Sequence, residues 1–380
     1  MRQRVEALEE HARGDAEWFE EFGSFVTNAG EGSMLSGHAS DEGVDRFATD
    51  FGRGSRAFYR PAADVLISSL GIGTSRGAAD SRTDVQYARA VHAALRGGIN
   101  LIDTSINYRQ QRSERAVNAG LRVFIETCPG ARAGVVVCTK GGYLVPGALP
   151  DNTLRADDVV GGVHCILPAF LDDQIARSRR NLGLKTIDIY YLHNPEVQLR
   201  FINGRVFLDR IRAAFAFLEH AVGDGLIRYY GTATWDGYRT GALSLHELVD
   251  TARQIAGDDH HFRFVQLPFN LGMREALTRR AEGNGTVLEI AAELGVSVIA
   301  SASLRHASQA RALPSRSSEA SPSLPTDAQR AIQFVRATAG IASALVGMRR
   351  TAHVTENLAV SRVPPTPLID EGSDPVGSAD

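Results

Sequence analysis

Between residues 56 and 361 the chain repeats one pattern about eight times: a short β-branched apolar run, a Gly or polar loop, then an amphipathic stretch of roughly 10–18 residues at helical spacing. The apolar runs fall at 69–74, 100–105, 134–140, 187–193, 227–232, 264–270, 296–301 and 343–347, and their unbroken hydrophobicity suits strands covered on both faces. Helices are expected over 83–96, 113–125, 170–181, 206–222, 242–255, 286–294, 326–338 and 352–358, several ending at a glycine such as Gly97, Gly183, Gly225, Gly295 or Gly340. Strict strand–helix alternation permits an open doubly wound α/β sheet or a closed (β/α)8 TIM barrel, and the number of units favours the barrel. The open sheet would also need G-x-G-x-x-G at the first helix. Gly71-Ile72-Gly73-Thr74 is instead followed by Ser75 and Arg76, without the third glycine in place. Residues 56–67 fit a hairpin closing the bottom of the barrel.

The ends break the pattern. Residues 1–55 are rich in Glu, Asp, Gly, Ser and Ala, with a short amphipathic patch at Trp18, Phe19 and Phe22, and read as an acidic, poorly ordered or loosely docked extension. Residues 362–380, with Pro364, Pro365, Pro367 and Pro375, read as a Pro-rich tail.

Composition narrows the function. A content of 43% hydrophobic and 22% charged residues excludes wholesale disorder. A net charge of -3 provides no positive field for phosphate backbones or anionic lipid, so nucleic acid is not expected as a partner. Cys128, Cys138 and Cys165 form no C-x-x-C pair, which argues for neither a disulfide framework nor a closed zinc site and fits a reducing cytoplasm. No apolar run approaches the roughly 18 residues of a membrane helix, and the first residues lack the apolar stretch of a signal peptide, so a soluble cytoplasmic protein is expected.

In a barrel, functional groups gather where strands finish. The ends of the runs are Gly73 and Thr74; Asp103; Lys140; His193; Thr232 to Thr234; Gln266 and Asn270; Ser301 and Ser303; and Gly347, with Tyr108 five residues beyond Asp103. Each has an ordinary alternative: Asp103 as a turn acid, Lys140 exiting to solvent, His193 as a core histidine, Tyr108 as a rim aromatic. An acid, a lysine and a histidine ending three successive strands need a common cause. A buried lysine is costly unless paired, and Asp103 can pair with it. The ammonium would then pull the Tyr108 phenol below its ordinary value of about 10, into a range useful for proton transfer.

The run Gly98-Ile99-Asn100-Leu101-Ile102-Asp103-Thr104-Ser105, followed by Tyr108 and by Ser113-Glu114, resembles the aldo-keto reductase signature G-x-N-x-x-D-T-[AS]-x-x-Y. Thr139-Lys140-Gly141, Leu192-His193, Gly231 to Trp235, Gln266 to Asn270, and Gly347 to Asn357 resemble the family's further motifs in order, over about 58–360. The resemblance implies a (β/α)8 barrel that binds NAD(P)H and a catalytic tetrad of Asp103, Tyr108, Lys140 and His193. Hydride would pass to a carbonyl carbon while Tyr108 protonates the oxygen and His193 orients or polarises the carbonyl.

For the cofactor the resemblance implies Gly73, Thr74, Asp103, Thr234, Gln266, Asn270, Ser301, Gly347, Arg349, His353, Glu356 and Asn357. Gln266 and Asn270 match positions facing the nicotinamide carboxamide. Ala233 and Thr234 stand where many members carry Ser-Asn, and Ser301 where an aromatic often stacks. Arg349 is placed to meet a 2′-phosphate, or else is a solvated charge at a helix start, while Glu356 and Asn357 resemble adenine contacts. NADP(H) is therefore expected over NAD(H).

Two long loops, 141–168 with Tyr143, His164 and Cys165, and 194–205, should wall the mouth. His164 with Cys165 reads as packing, and His260 with His261 as a polar turn, so no metal is expected. Residues 305–323 would fold over the pyrophosphate or stay mobile. The expected function is NADP(H)-dependent reduction of an aldehyde or ketone, or oxidation of the matching alcohol, with a small-molecule carbonyl as partner and no membrane contact. Alternatives are a non-catalytic NADP-binding regulatory subunit, with the N-terminal extension meeting an unidentified protein partner, and an NAD-dependent sugar lactol dehydrogenase.

Overall fold

The computed structural model describes residues 33–52, 54–146, 154–280, 285–304 and 323–365. Two short strands, β1 (Tyr59–Ala62) and β2 (Val65–Ser68), form an antiparallel hairpin. The strands β3 (Leu70–Gly73), β4 (Leu101–Asp103), β5 (Val136–Gly141), β6 (Ile187–His193), β7 (Ile227–Ala233), β8 (Phe262–Pro268), β9 (Ser297–Ser301) and β10 (Ile341–Gly347) close into a parallel barrel, with β10 returning to β3. The helices are α1 (Asp41–Phe51), α2 (Ser81–Arg96), α3 (Arg112–Thr127), α4 (Pro168–Leu182), α5 (Gly204–Gly223), α6 (Gly237–Thr240), α7 (Leu245–Ala256), α8 (Glu275–Thr278), α9 (Val287–Glu293), α10 (Asp327–Ala337) and α11 (Thr351–Asn357). The (β/α)8 expectation is met strand for strand.

The unbroken apolar runs follow from this packing. In β6, Ile187, Tyr190 and Leu192 join the outer core under the helices. Ile189 and Tyr191 join Leu101, Cys138, Phe264 and Ile299 in a second cluster that also takes in Val65 and Ile67 of the hairpin. From Ile189 to Leu192 alternate residues therefore face the barrel interior and the helix layer, and both faces are dry. Asn100 ties the hairpin to the barrel: its Oδ1 accepts from Ser68 N at 2.7 Å, and its Nδ2 donates to Leu66 O at 3.1 Å and Gly134 O at 3.2 Å.

Local signals set the helices. Asp80 caps α2, accepting from Thr83 N at 2.8 Å. Thr286 with Glu289, and Thr326 with Gln329, form capping boxes at α9 and α10. At Gly120 in α3, a Cβ would lie 2.4 Å from Ala88 O of α2, so glycine lets these two helices approach. Among the described residues no helix is long and apolar enough to cross a membrane.

The expected boundaries of the barrel need correction at both ends. Of the extension drawn over 1–55, residues 1–32, including Trp18, Phe19 and Phe22, lie outside the described residues, but 33–52 pack as part of the barrel body. Leu35 N donates to Gly183 O at 2.7 Å, Lys185 N donates to Leu35 O at 2.9 Å, and Ala39 N donates to buried Asp188 Oδ1 at 2.6 Å. Ser40 caps α1, whose Val44 and Phe47 are buried in the core. The apolar stripe of α1 is only Val44, Phe47 and Phe51 amid acids and glycines, too few positions to stand out from the acidic composition. At the other end packing continues past 361: Arg336 Nη1 donates to Val363 O at 2.9 Å and Gln333 Nε2 to Pro364 O at 2.7 Å. Residues 366–380 and, apart from Ser323, the expected 305–323 loop lie outside the described residues.

Candidate active site

Asp103 ends β4, Lys140 is the penultimate residue of β5, and His193 ends β6, so three adjacent strands deliver three polar side chains to one barrel mouth. Lys140 is fully buried; its Nζ donates to Asp103 Oδ1 at 2.8 Å, to Oδ2 at 2.7 Å and to Thr104 O at 2.7 Å. Gln266 Nε2 donates to Asp103 Oδ1 at 2.8 Å. Tyr108 lies on the turn after β4, with Lys140 Nζ 4.8 Å from its ring centroid and the His193 ring edge-on at 5.8 Å. Asp103, Tyr108 and His193 line a cavity of about 410 Å³.

Burial and charge set the protonation states. Burial lowers the Lys140 ammonium, but Asp103 and Tyr108 outweigh it and the net shift is upward. Burial raises the Tyr108 phenol, Lys140 opposes, and burial wins. The sequence led us to expect a lowered Tyr108. Burial of the phenol is the main reason for the difference, and Asp103 adds to it by disfavouring phenolate. Burial, reinforced by Lys140 and His164, holds His193 well below 6.5, so its imidazole is neutral at pH 7. A protonated phenol and a neutral imidazole therefore share one cavity, with a buried cation behind the phenol ring.

The supporting contacts were not legible beforehand. Ser105 Oγ lies 3.3 Å from His193 Nδ1. Arg210 Nη1 donates to Gln198 Oε1 at 3.1 Å, which directs Gln198 Nε2 to His164 Nδ1 at 3.2 Å. His164 Nε2 thus carries the proton and donates to His193 O at 2.8 Å. His164, expected only as packing, holds the backbone beneath His193. Tyr143 sits edge-on to both rings, and Asn194 Nδ2 donates to its hydroxyl at 3.0 Å. Behind β5, buried Glu114 accepts from Thr139 Oγ1 at 2.6 Å and from Asn181 Nδ2 at 2.8 Å, fixing the strand that carries Lys140. His261 meets Glu219, Nδ1 to Oε2 at 2.8 Å, in the turn before β8.

The residues expected at the cofactor divide into three groups. Gly73, Thr234, Gln266, Ser301 and Gly347 line the cavity. Thr74 and Asn270 stand one layer back. Thr74 N and Oγ1 donate to Asp103 O at 3.1 and 3.2 Å; Asn270 Nδ2 donates to Ala302 O at 3.1 Å and its Oδ1 accepts from Gly272 N at 2.9 Å. Both hold backbone that lines the cavity, because their polar atoms are taken up by neighbouring loops. Arg349, His353, Glu356 and Asn357 follow β10 along α11. Arg349 packs against Gly77, where a Cβ would come within 3.1 Å of its Nη1, and His353 is exposed. Glu356 O accepts from Gln329 Nε2 at 2.7 Å.

Two buried polar atoms, Thr234 Oγ1 in the cavity and Asn357 Oδ1 beyond it, have no hydrogen-bond partner among the described residues. The Thr234 hydroxyl, unpartnered inside the cavity, is free to meet a ligand there. At Gly347, which also lines the cavity, a Cβ would meet nothing within 4 Å, so the mouth is open there. The donor set fits a nucleotide cofactor. Among the described residues no group of three or more His, Cys, Asp or Glu side chains gathers as a metal site.

The sequence model of the Aldo/keto reductase family matches residues 69–367, the strand-end cluster included. The chain belongs to the aldo/keto reductase family. Among curated relatives it is 29% identical over 182 residues to the 6-dehydroglucose reductase of Novosphingobium aromaticivorans, covering 47% of this chain and 52% of that one. It is 30% identical over 181 residues to the D-threo-aldose 1-dehydrogenase of a Pseudomonas species, covering 45% and 51%. These matches span about half the length of the curated relatives. Among solved structures, an aldo/keto reductase from Klebsiella pneumoniae in complex with NADP and acetate is similar in fold, with a TM-score of 0.59, 18% identity and coverage of 81% of this chain and 91% of that one.

Proposed function

We propose that this aldo/keto reductase reduces the carbonyl of an aldehyde or ketone with NADP(H), with Tyr108 as proton donor. The supporting observation is that Tyr108 and His193 line one cavity while buried Lys140, paired with Asp103, lies against the Tyr108 ring. When bound, the dihydronicotinamide supplies the hydride.

The chain's own residues do the rest. The Tyr108 hydroxyl hydrogen-bonds the substrate oxygen and gives up its proton as negative charge develops there. Lys140 stabilises the phenolate left behind, which a cation held at the ring by Asp103 does without reorganising. Ser105 Oγ gives its one proton to Asn107 Oδ1 at 2.7 Å and so accepts from His193 Nδ1–H at 3.3 Å, which would fix the neutral ring beside the substrate oxygen. The ring would orient the carbonyl against the Tyr108 hydroxyl rather than donate a proton to it. Thr234 and Asn357 would bind the cofactor through their unpartnered oxygens, Gln266, Ser301 and Gly347 would line its bed, and Arg349 would meet a 2′-phosphate. On that placement of Arg349 the cofactor would be NADP(H) rather than NAD(H).

The names of the curated relatives, a dehydroglucose reductase and an aldose dehydrogenase, favour a polyhydroxylated aldehyde or sugar as substrate. Run in reverse, the same groups would oxidise a sugar lactol. Consumption of NADPH and NADH across a panel of simple aldehydes, ketosugars and aldoses tests the reading. Turnover with NADPH is expected, and cofactor binding without any turnover would favour a regulatory subunit.

A further inference from the structure

Immediately after Tyr108 the backbone takes three consecutive left-handed residues, Arg109 (φ 51°), Gln110 (φ 55°) and Gln111 (φ 69°), none of them glycine. Even one such residue is uncommon, and a run persists only where its surroundings over-determine it. Here the restraint is the Arg109 side chain, which is buried although its neighbour Gln110 is exposed. Its Nε donates to Ala78 O at 2.7 Å and its Nη2 to Asp80 O at 3.2 Å and to the Asp84 carboxylate. Its guanidinium lies over the Tyr87 ring, 5.4 Å from the centroid.

Both anchors lead back to the cavity. Asp84, also buried, pairs with Arg112 at 2.5 Å, so one carboxylate clamps the first and fourth residues of the turn. The Tyr87 hydroxyl donates to Arg76 O at 2.7 Å and accepts from Arg76 N at 3.2 Å, and Arg76 lines the cavity. One guanidinium thus grips the 76–80 loop on one side of the mouth and the Tyr108 turn on the other.

We propose that Arg109 is a positioning residue for Tyr108: anchored to Asp84 and the 76–80 loop, it holds the left-handed turn that keeps the phenol in the cavity. The inference rests on Tyr108 as proton donor, but its structural half stands independently. Removing the fork lets the turn relax toward ordinary dihedrals, which carries the phenol away from the substrate oxygen. Misplacement of a reacting group by about an ångström lowers rate on the order of 10²-fold.

The test uses the full chain with Arg109→Met and Arg109→Lys. Amide hydrogen exchange over 105–112 should speed up in Arg109→Met while exchange in α5 is unchanged. Its kcat should fall about 10²-fold, with KM for the carbonyl substrate changed far less. Arg109→Lys, which keeps the charge facing Asp84, should recover part of the loss. Gln110→Gly, which eases the left-handed backbone and leaves the guanidinium in place, should change little alone but restore part of the turnover lost in Arg109→Met. Wild-type exchange over 105–112 and wild-type kcat in Arg109→Met would overturn the proposal. Loss of protection throughout the barrel, with no selective change when Arg109→Lys is compared, would overturn it too, making Arg109 a general stability residue. If the wild-type protein reduces no carbonyl compound, the reading of Tyr108 fails, and the exchange result still decides whether Arg109 braces the turn.

Discussion

The Lys140 ammonium contacts both oxygens of Asp103, at 2.8 and 2.7 Å, with no solvent access, and faces the Tyr108 ring from 4.8 Å. Burial raises the Tyr108 phenol, Lys140 opposes it, and Asp103 offsets part of the Lys140 effect. The phenol stays protonated in the resting site, with the cation that would stabilise its phenolate already in place.

Lys140→Met leaves the Asp103 carboxylate buried without its cation, and loss of one partner of a buried pair costs about 3–5 kcal/mol. Urea unfolding should show a loss of this size. The double variant Asp103→Asn with Lys140→Met should recover part of it, because no charge is then stranded; a double variant as unstable as the sum of the single changes would contradict this.

Tyr108→Phe keeps the ring and removes the donor. Turnover should fall by about 10²–10⁴-fold, with NADPH affinity within a few-fold of wild type, read from quenching of Trp235, which lines the cavity. A turnover close to wild type would sink the assignment of Tyr108 as proton donor.

Burial holds His164 down at about 4, from 6.5. Above pH 6.5 it is neutral folded or unfolded. As pH falls below 6.5 the unfolded chain takes up this proton and the folded chain does not, so stability drops until about pH 4, by up to on the order of 3 kcal/mol. His164→Gln should flatten this limb of the stability–pH curve. An equally steep limb in the variant would assign it to other groups.

Arg349→Ala should weaken NADPH more than NADH, since only NADPH has a 2′-phosphate for the guanidinium to meet. Direct titration of both cofactors checks this. Equal weakening would make Arg349, packed on Gly77, a structural residue only.

Phe47 of α1 is 2% exposed and packs edge-on to Phe124 at 6.0 Å. Phe47→Ala should therefore destabilise the barrel by about 3–5 kcal/mol, measured as a shift in the urea midpoint. A negligible shift would return residues 33–52 to the status of a dispensable extension.

Every barrel strand was legible within a few residues, because a strand buried on both faces must be apolar without interruption, and that demand is local. α1 was missed for the converse reason. Its helix is short and acidic, and only contacts far along the chain, of Leu35 with Gly183, Ala39 with Asp188 and Gly43 with Ala133, seat it so that Val44 and Phe47 are buried. Asp103, Lys140, His193 and Tyr108 were readable as a cluster because strand ends of a barrel converge whatever the loops do.

The sequence by itself determined the barrel, its strand order and which polar side chains arrive at its mouth, since these follow from hydrophobic period and chain topology. Only the tertiary structure decided the direction of the Tyr108 shift, the part played by His164, and the grip of Arg109 on the turn after Tyr108. A shift reflects the balance of burial against several charges, and an orientation depends on hydrogen-bond partners such as Gln198, Arg210, Ala78 and Asp84. Those quantities depend on distances of a few ångströms between residues remote in sequence, which no local pattern of residue types encodes.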